Sequence, residues 1–305
     1  MSASPPEDSP PGAGGRTGVI HDLGYRPYSG ERQAEPSIAA ALFLTGLRNA
    51  FGLGRSGKSK ILPFVLLGLN LVPALILVAV MVFTGLTELP VNYATYAGTT
   101  QMLVSVFAAA QAPILFSRDL RYGSIVLYLA RPMRAATYAT MRWASLLAAL
   151  MVFLLAPLLV LYLGALLNDA DVSEQSSEAG WAALLAVLLA GMLASVAGLL
   201  SAVSTRRGFA VVATIAVLLF GYGVVAAVQA IALDQGQERV GEYAGLLTPY
   251  NLYRGIAESL LEAGAGAITP PQGAGMQTAY VVVALLLMLG GLGLLVLRYR
   301  RVAAR

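Results

Sequence analysis

Six long apolar segments, near residues 62–85, 94–116, 139–167, 181–203, 209–233 and 278–297, divide this chain, and its positive charges fall on alternate sides of them. About 20 apolar residues, rising 1.5 Å each as a helix, cross roughly 30 Å of hydrocarbon. Each segment is therefore long enough to span a bilayer, and the pattern predicts an all-α membrane protein with six transmembrane helices. Arg16, Arg26, Arg32, Arg48, Arg55, Lys58 and Lys60 precede the first segment; Arg118, Arg121, Arg131, Arg134 and Arg142 stand between the second and third. Arg206 and Arg207 separate the fourth and fifth, and Arg298, Arg300, Arg301 and Arg305 follow the sixth. The other connections hold only Arg239 and Arg254, amid many carboxylates. Because Lys and Arg mark the cytoplasmic side, both termini are expected there, in a multi-pass protein of the cell membrane.

Composition excludes several classes. With 57% hydrophobic and 12% charged residues, the chain has too little charge for an ordinary soluble domain. The arginines flank spans and form no basic stripe with interleaved aromatics, so the partner they suit is anionic membrane lipid and not nucleic acid. Absence of cysteine removes disulfides, iron–sulfur clusters and thiol catalysis. Between the span ends there is no Asp, Glu, Lys or His to build a proton relay or metal centre, and the one histidine, His21, lies in a polar tail. No catalytic residue and no metal ligand is expected. Asn70, Gln101, Gln111, Tyr162, Tyr222 and Gln229 are the polar groups able to line a path, with interhelical hydrogen bonding as the competing role. Pro73, Pro113 and Pro157 can kink their helices, and Gly191, Ser195, Gly198, Gly221 and Gly223 permit close approach.

Residues 1–36, rich in Pro, Gly, Ser and charge, are expected to be a disordered cytoplasmic tail. No signal peptide precedes the first span, which is read as a retained anchor. From Ser37 to Leu53, apolar residues recur at helical spacing, with Ser37 as a candidate cap. This predicts an amphipathic helix, either in the membrane interface or extending the first span. Residues Gly52 to Ser59 then match the phosphate-loop pattern G-x-x-x-x-G-K-S. That loop requires a strand before it and a soluble helix after it; here an amphipathic helix precedes and a membrane span follows. The segment is read as a basic linker, and any ATP must be bound by another polypeptide.

The connection between the second and third spans is the most specific stretch. It runs Arg118-Asp119-Leu120-Arg121-Tyr122-Gly123-Ser124, then Leu127, Tyr128, Leu129, Arg131-Pro132 and Arg134, then Tyr138 and Arg142. Apolar residues flanked by charge, ended by Pro132, describe a short helix at the cytoplasmic mouth with an edge that a soluble partner could grip; an inert basic anchor has the same composition. Before the last span, Thr248 can cap a helix with Pro249 at its first position and Leu252, Ile256 and Leu260 on one face, with Arg254, Glu258 and Glu262 on another.

The Arg-Asp-x-Arg-x-Gly-Ser entry, leucine run, Arg-Pro exit and following Tyr138 and Arg142 resemble the coupling segment of ATP-binding-cassette (ABC) type-2 transporter permeases. The order of amphipathic helix, six spans and long outer connection is similar from about residue 37 to 300, with 37–305 as the permease domain. The resemblance implies a non-catalytic subunit of an exporter: two permease copies, identical or related, form the path, and a cytoplasmic ABC ATPase subunit carries the ATP and magnesium. It implies that Arg118, Asp119, Arg121 and Arg131 dock the ATPase while Leu120, Tyr122, Leu127 and Tyr128 fill a groove, within a rigid element that includes Gly123, Pro132 and Arg134. It also implies an outer-gate helix beginning at Thr248, Pro249, Tyr250 and Asn251. With no charged pocket in the spans, the substrate is expected to be apolar, lipid-like or drug-like. A scaffold or channel-like protein that works without nucleotide is the alternative.

Overall fold

The computed structural model describes residue 30 and residues 34–86, 89–125, 128, 133–168, 170–204, 206–261 and 266–303. Residues from Ala34 onward form one compact unit, helical throughout its regular elements. The tail up to residue 33, apart from Gly30, lies outside the described residues.

Six helices are long and apolar enough to cross a membrane: Lys58–Thr84, Gln101–Arg121, Ala135–Leu167, Val172–Val203, Arg207–Asp234 and Gly273–Ala303. Helix is the natural solution for such segments, since lipid offers no partner to an open backbone N–H or C=O. The fifth and sixth each contain one π turn, at Ala216–Phe220 and Leu286–Gly290. The second span begins later than its apolar run suggests. Asn92 caps a separate short helix, Tyr93–Thr99, by accepting from Thr95 N at 3.0 Å, and the chain turns at Thr100 before the span resumes at Gln101.

The second span is the least apolar and the most enclosed: its most apolar stretch has a mean hydropathy of 1.2 and is 72% buried, against 17% for that of the fifth span. The fourth is also central, while the first and sixth, like the fifth, keep most of their surface open. At the centre the rings of Phe107 and Phe153 stack at 4.7 Å. A Cβ on Gly191 would meet Met288 Cγ at 2.8 Å, and one on Gly198 would meet Phe116 and Leu295 at 3.1 Å, so these two glycines set how near the sixth and second spans approach the fourth. Gly221 and Gly223 face open space instead. Ser195 ties the same region, accepting from Trp143 Nε1 at 3.0 Å and donating to the Met288 carbonyl at 2.7 Å.

The N-terminal helix is Glu35–Ala50, two residues earlier than expected. Its cap position is Ala34, not Ser37, and Pro36 sits in the first turn, where a missing N–H is harmless. Glu35 and Pro36 thus belong to the helix and not to the tail. Ala39, Leu42, Gly46 and Ala50 form its buried stripe. Ser145 of the third span reaches the Phe43 carbonyl at 3.0 Å, so the helix lies along the third span and does not simply prolong the first.

Candidate functional site

At one end of the bundle the second span runs into the segment that resembles a coupling element. Ser117 Oγ donates to the Ser201 carbonyl at 2.7 Å and fastens its start to the end of the fourth span. One turn, Ser117–Arg121, then ends at Tyr122 and Gly123, whose φ of +67° is the left-handed conformation that closes a helix and that glycine adopts without penalty. Side chains alternate in direction along this turn. Arg118, Arg121 and Tyr122 are exposed, the last at 71%, whereas Asp119 is buried and Leu120 and Tyr128 are partly covered by the core.

Asp119 therefore corrects the expectation that it presents a docking charge. Its carboxylate pairs with the Arg142 guanidinium, accepts from Tyr138 Oη at 2.6 Å, and accepts from Ser124 Oγ at 3.2 Å. Arg142, 4% exposed, also donates to Tyr138 Oη at 3.3 Å and stacks over the rings of Tyr138 and Tyr128. The Tyr299 ring packs 5.1 Å from that of Tyr138, and its hydroxyl donates to the Phe116 carbonyl at 3.0 Å. One knot thus joins the end of the second span, the start of the third and the end of the sixth. An arginine one or two turns inside an apolar span needs such a partner, a signal that was present in the sequence beside Asp119. Leu127, Arg131 and Pro132 lie outside the described residues. Arg134 is exposed at the start of the third span, where its backbone N–H and the Thr137 hydroxyl bond Glu35 at 3.4 and 2.6 Å. These two bonds hold the Glu35 carboxyl below the ordinary range.

The phosphate-loop pattern is not folded as one. A helix precedes it, Lys58 opens the first span, and the Ser59 hydroxyl bonds the carbonyls of Ser56 at 2.7 Å and Gly52 at 3.3 Å.

The opposite end is closed by the helix Pro249–Leu261. Thr248 Oγ1 accepts from Asn251 N at 3.3 Å, the expected cap. The helix is inserted among the spans: Pro249, Tyr250, Asn251, Leu252, Tyr253, Gly255, Ile256 and Ala257 are all buried. Tyr250 Oη lies 2.9 Å from both Ser105 Oγ and the Gln101 carbonyl, and Tyr253 Oη donates to the Ala94 carbonyl at 2.8 Å. Arg254, expected on a polar outer face, turns inward, donating to the Gly98 carbonyl at 2.9 Å and to Tyr222 Oη at 2.6 Å. The break between Tyr93–Thr99 and the second span exposes the acceptors that attract it.

Most of the path-lining candidates are engaged between helices. Asn70 donates to the Phe153 carbonyl at 2.9 Å, Gln229 donates to Gly241 O at 3.1 Å and Thr269 Oγ1 at 2.8 Å, and Tyr222 holds Arg254. Gln111 is buried in the second span, while Gln101 offers its backbone carbonyl to Tyr250. Among the described residues no cluster of His, Asp or Glu is arranged to hold a metal ion. Comparison of the chain with protein-family models and with curated protein sequences finds no match.

Proposed function

We propose that this protein is the permease subunit of an ABC exporter, working as two six-span copies coupled to a separate cytoplasmic ATPase that binds ATP and magnesium. The observation that carries the reading is the attachment of the exposed Arg118, Arg121 and Tyr122 edge, through buried Asp119, to Arg142 and Tyr138 of the third span. A partner that moved this edge would move the ends of three spans together, which is the mechanical requirement of coupling. Open surfaces on the first, fifth and sixth spans leave room for the second copy and lipid. The largely apolar spans favour a lipid-like or drug-like substrate over a charged one. The proposed orientation puts the arginine-rich end in the cytoplasm, which makes the buried Pro249–Leu261 helix the outer closure. The test is purification of the tagged protein in mild detergent. A near-stoichiometric soluble ATPase, lost when Arg118, Arg121 and Tyr122 are replaced together by Ala, is the expected result; a preparation without ATPase activity overturns the reading in favour of a nucleotide-independent channel or scaffold.

A further inference from the structure

Four arginines from three separate connections line one recess at the arginine-rich end. Arg55 comes from the linker before the first span, Arg118 and Arg121 from the end of the second, and Arg207 from the start of the fifth. With Pro113 and Ile114 they line a cavity of about 170 Å³, the volume of several water molecules at about 30 Å³ each. Arg206 and Arg207 continue the rim into a neighbouring recess. Burial depresses the pKa of Arg55, and the charges of Arg118 and Arg207 depress it further.

Partial burial and the neighbouring charges of Arg118 and Arg207 make the Arg55 charge costly, and an anion in the cavity would offset that cost. Among the described residues the one guanidinium–carboxylate ion pair is Arg142 with Asp119, which faces away into the knot. Glu35, the other described carboxylate at this end, is bound to Thr137 and Arg134. Arginine forks match phosphoryl oxygens bidentately. Apolar Pro113 and Ile114 line the same cavity as the arginines, and outside it Phe209 and Val212 follow Arg207 on the fifth span, 65% and 66% exposed.

We infer that this cavity binds a phosphoryl group, presented either by a lipid headgroup or by a soluble phosphate compound. The site does not depend on transport or on an ATPase. The experiment is native mass spectrometry on delipidated full-length protein, titrated separately with dioleoylphosphatidylglycerol, dioleoylglycerol and inorganic pyrophosphate. Phosphatidylglycerol binding without pyrophosphate binding assigns the phosphoryl group to lipid; binding of pyrophosphate assigns it to a soluble source. The charge-matched variants R55Q/R207Q and R300Q/R301Q then locate it: affinity should fall about tenfold or more in the first and hold in the second. Equal affinity for dioleoylglycerol, no binding of either phosphorylated probe, or equal losses in the two variants would overturn the proposal. The three wild-type titrations decide the chemistry even if a variant fails to fold.

Discussion

Asp119 and Arg142 are the residues on which most of the arginine-rich end depends. A buried pair is a modest net stabiliser, but loss of one partner strands a charge, at about 3–5 kcal/mol. Asp119→Leu and Arg142→Met should each lower the denaturation midpoint in detergent strongly, while the Asp119→Leu/Arg142→Met double variant should lose less than the sum of the single changes. Simple additivity across this cycle would mean that the two side chains are not coupled. Glu35 supplies a pH-dependent prediction. Its folded pKa is below the unfolded value of about 4.3, so its contribution is complete above that value and fades as pH falls through the folded pKa. Protection factors across Glu35–Ala50, taken relative to the intrinsic exchange rate at each pH, should fall with acidification in the wild type and change less in Glu35→Gln. The sequence made both Asp119 and Arg142 visible as parts of one motif. Their pairing was hidden because Arg118, Arg121 and Arg142 are equivalent as charges, and only the direction of the Ser117–Arg121 turn decides which of them Asp119 meets.

At the scale of elements, the Pro249–Leu261 helix separates what sequence can specify from what packing decides. Cap, proline and length were legible because they are local. Burial was not, because Leu252, Ile256 and Leu260 suggest one apolar stripe, whereas Tyr250 and Tyr253 enter the bundle with their hydroxyls satisfied by distant Ser105, Gln101 and Ala94. Thr248→Ala should cost about 0.5–2 kcal/mol through the lost cap. Arg254→Met should loosen the helix further, by about 1.5–3 kcal/mol, because charged hydrogen bonds to Gly98 and Tyr222 vanish. Hydrogen–deuterium exchange over residues 249–261 measures both, and protection unchanged in Arg254→Met would show that the arginine is not what holds the helix in place.

For the whole molecule, the number and order of spans followed from apolar length and charge alternation, which are long-range averages that tolerate local error. Which spans are central did not follow, since burial within protein and burial within lipid select similar residues. The fifth span is the least enclosed, and Gly221 and Gly223 on it meet no neighbour. With no cysteine in the chain, Phe220→Cys or Val224→Cys provides a unique thiol on that span. If a second copy covers this surface, oxidation in the membrane should produce a disulfide-linked dimer, and Leu44→Cys, exposed on the N-terminal helix, should produce less. Equal cross-linking at both sites would indicate random collision. The enclosure of the second span also bears on biogenesis. A helix whose most apolar stretch has a mean hydropathy of 1.2, with Arg118, Asp119 and Arg121 at its end, is a weak candidate for independent partitioning into lipid. Its surroundings in the bundle are the third, fourth and fifth spans, which emerge from the ribosome after it, and Arg142 reaches Asp119 only once the third has begun to enter. Nascent chains truncated before residue 142 should therefore hold the second span in the bilayer poorly, and longer ones should retain it, making membrane insertion of this protein a cooperative event among neighbours and not a sequence of six independent entries.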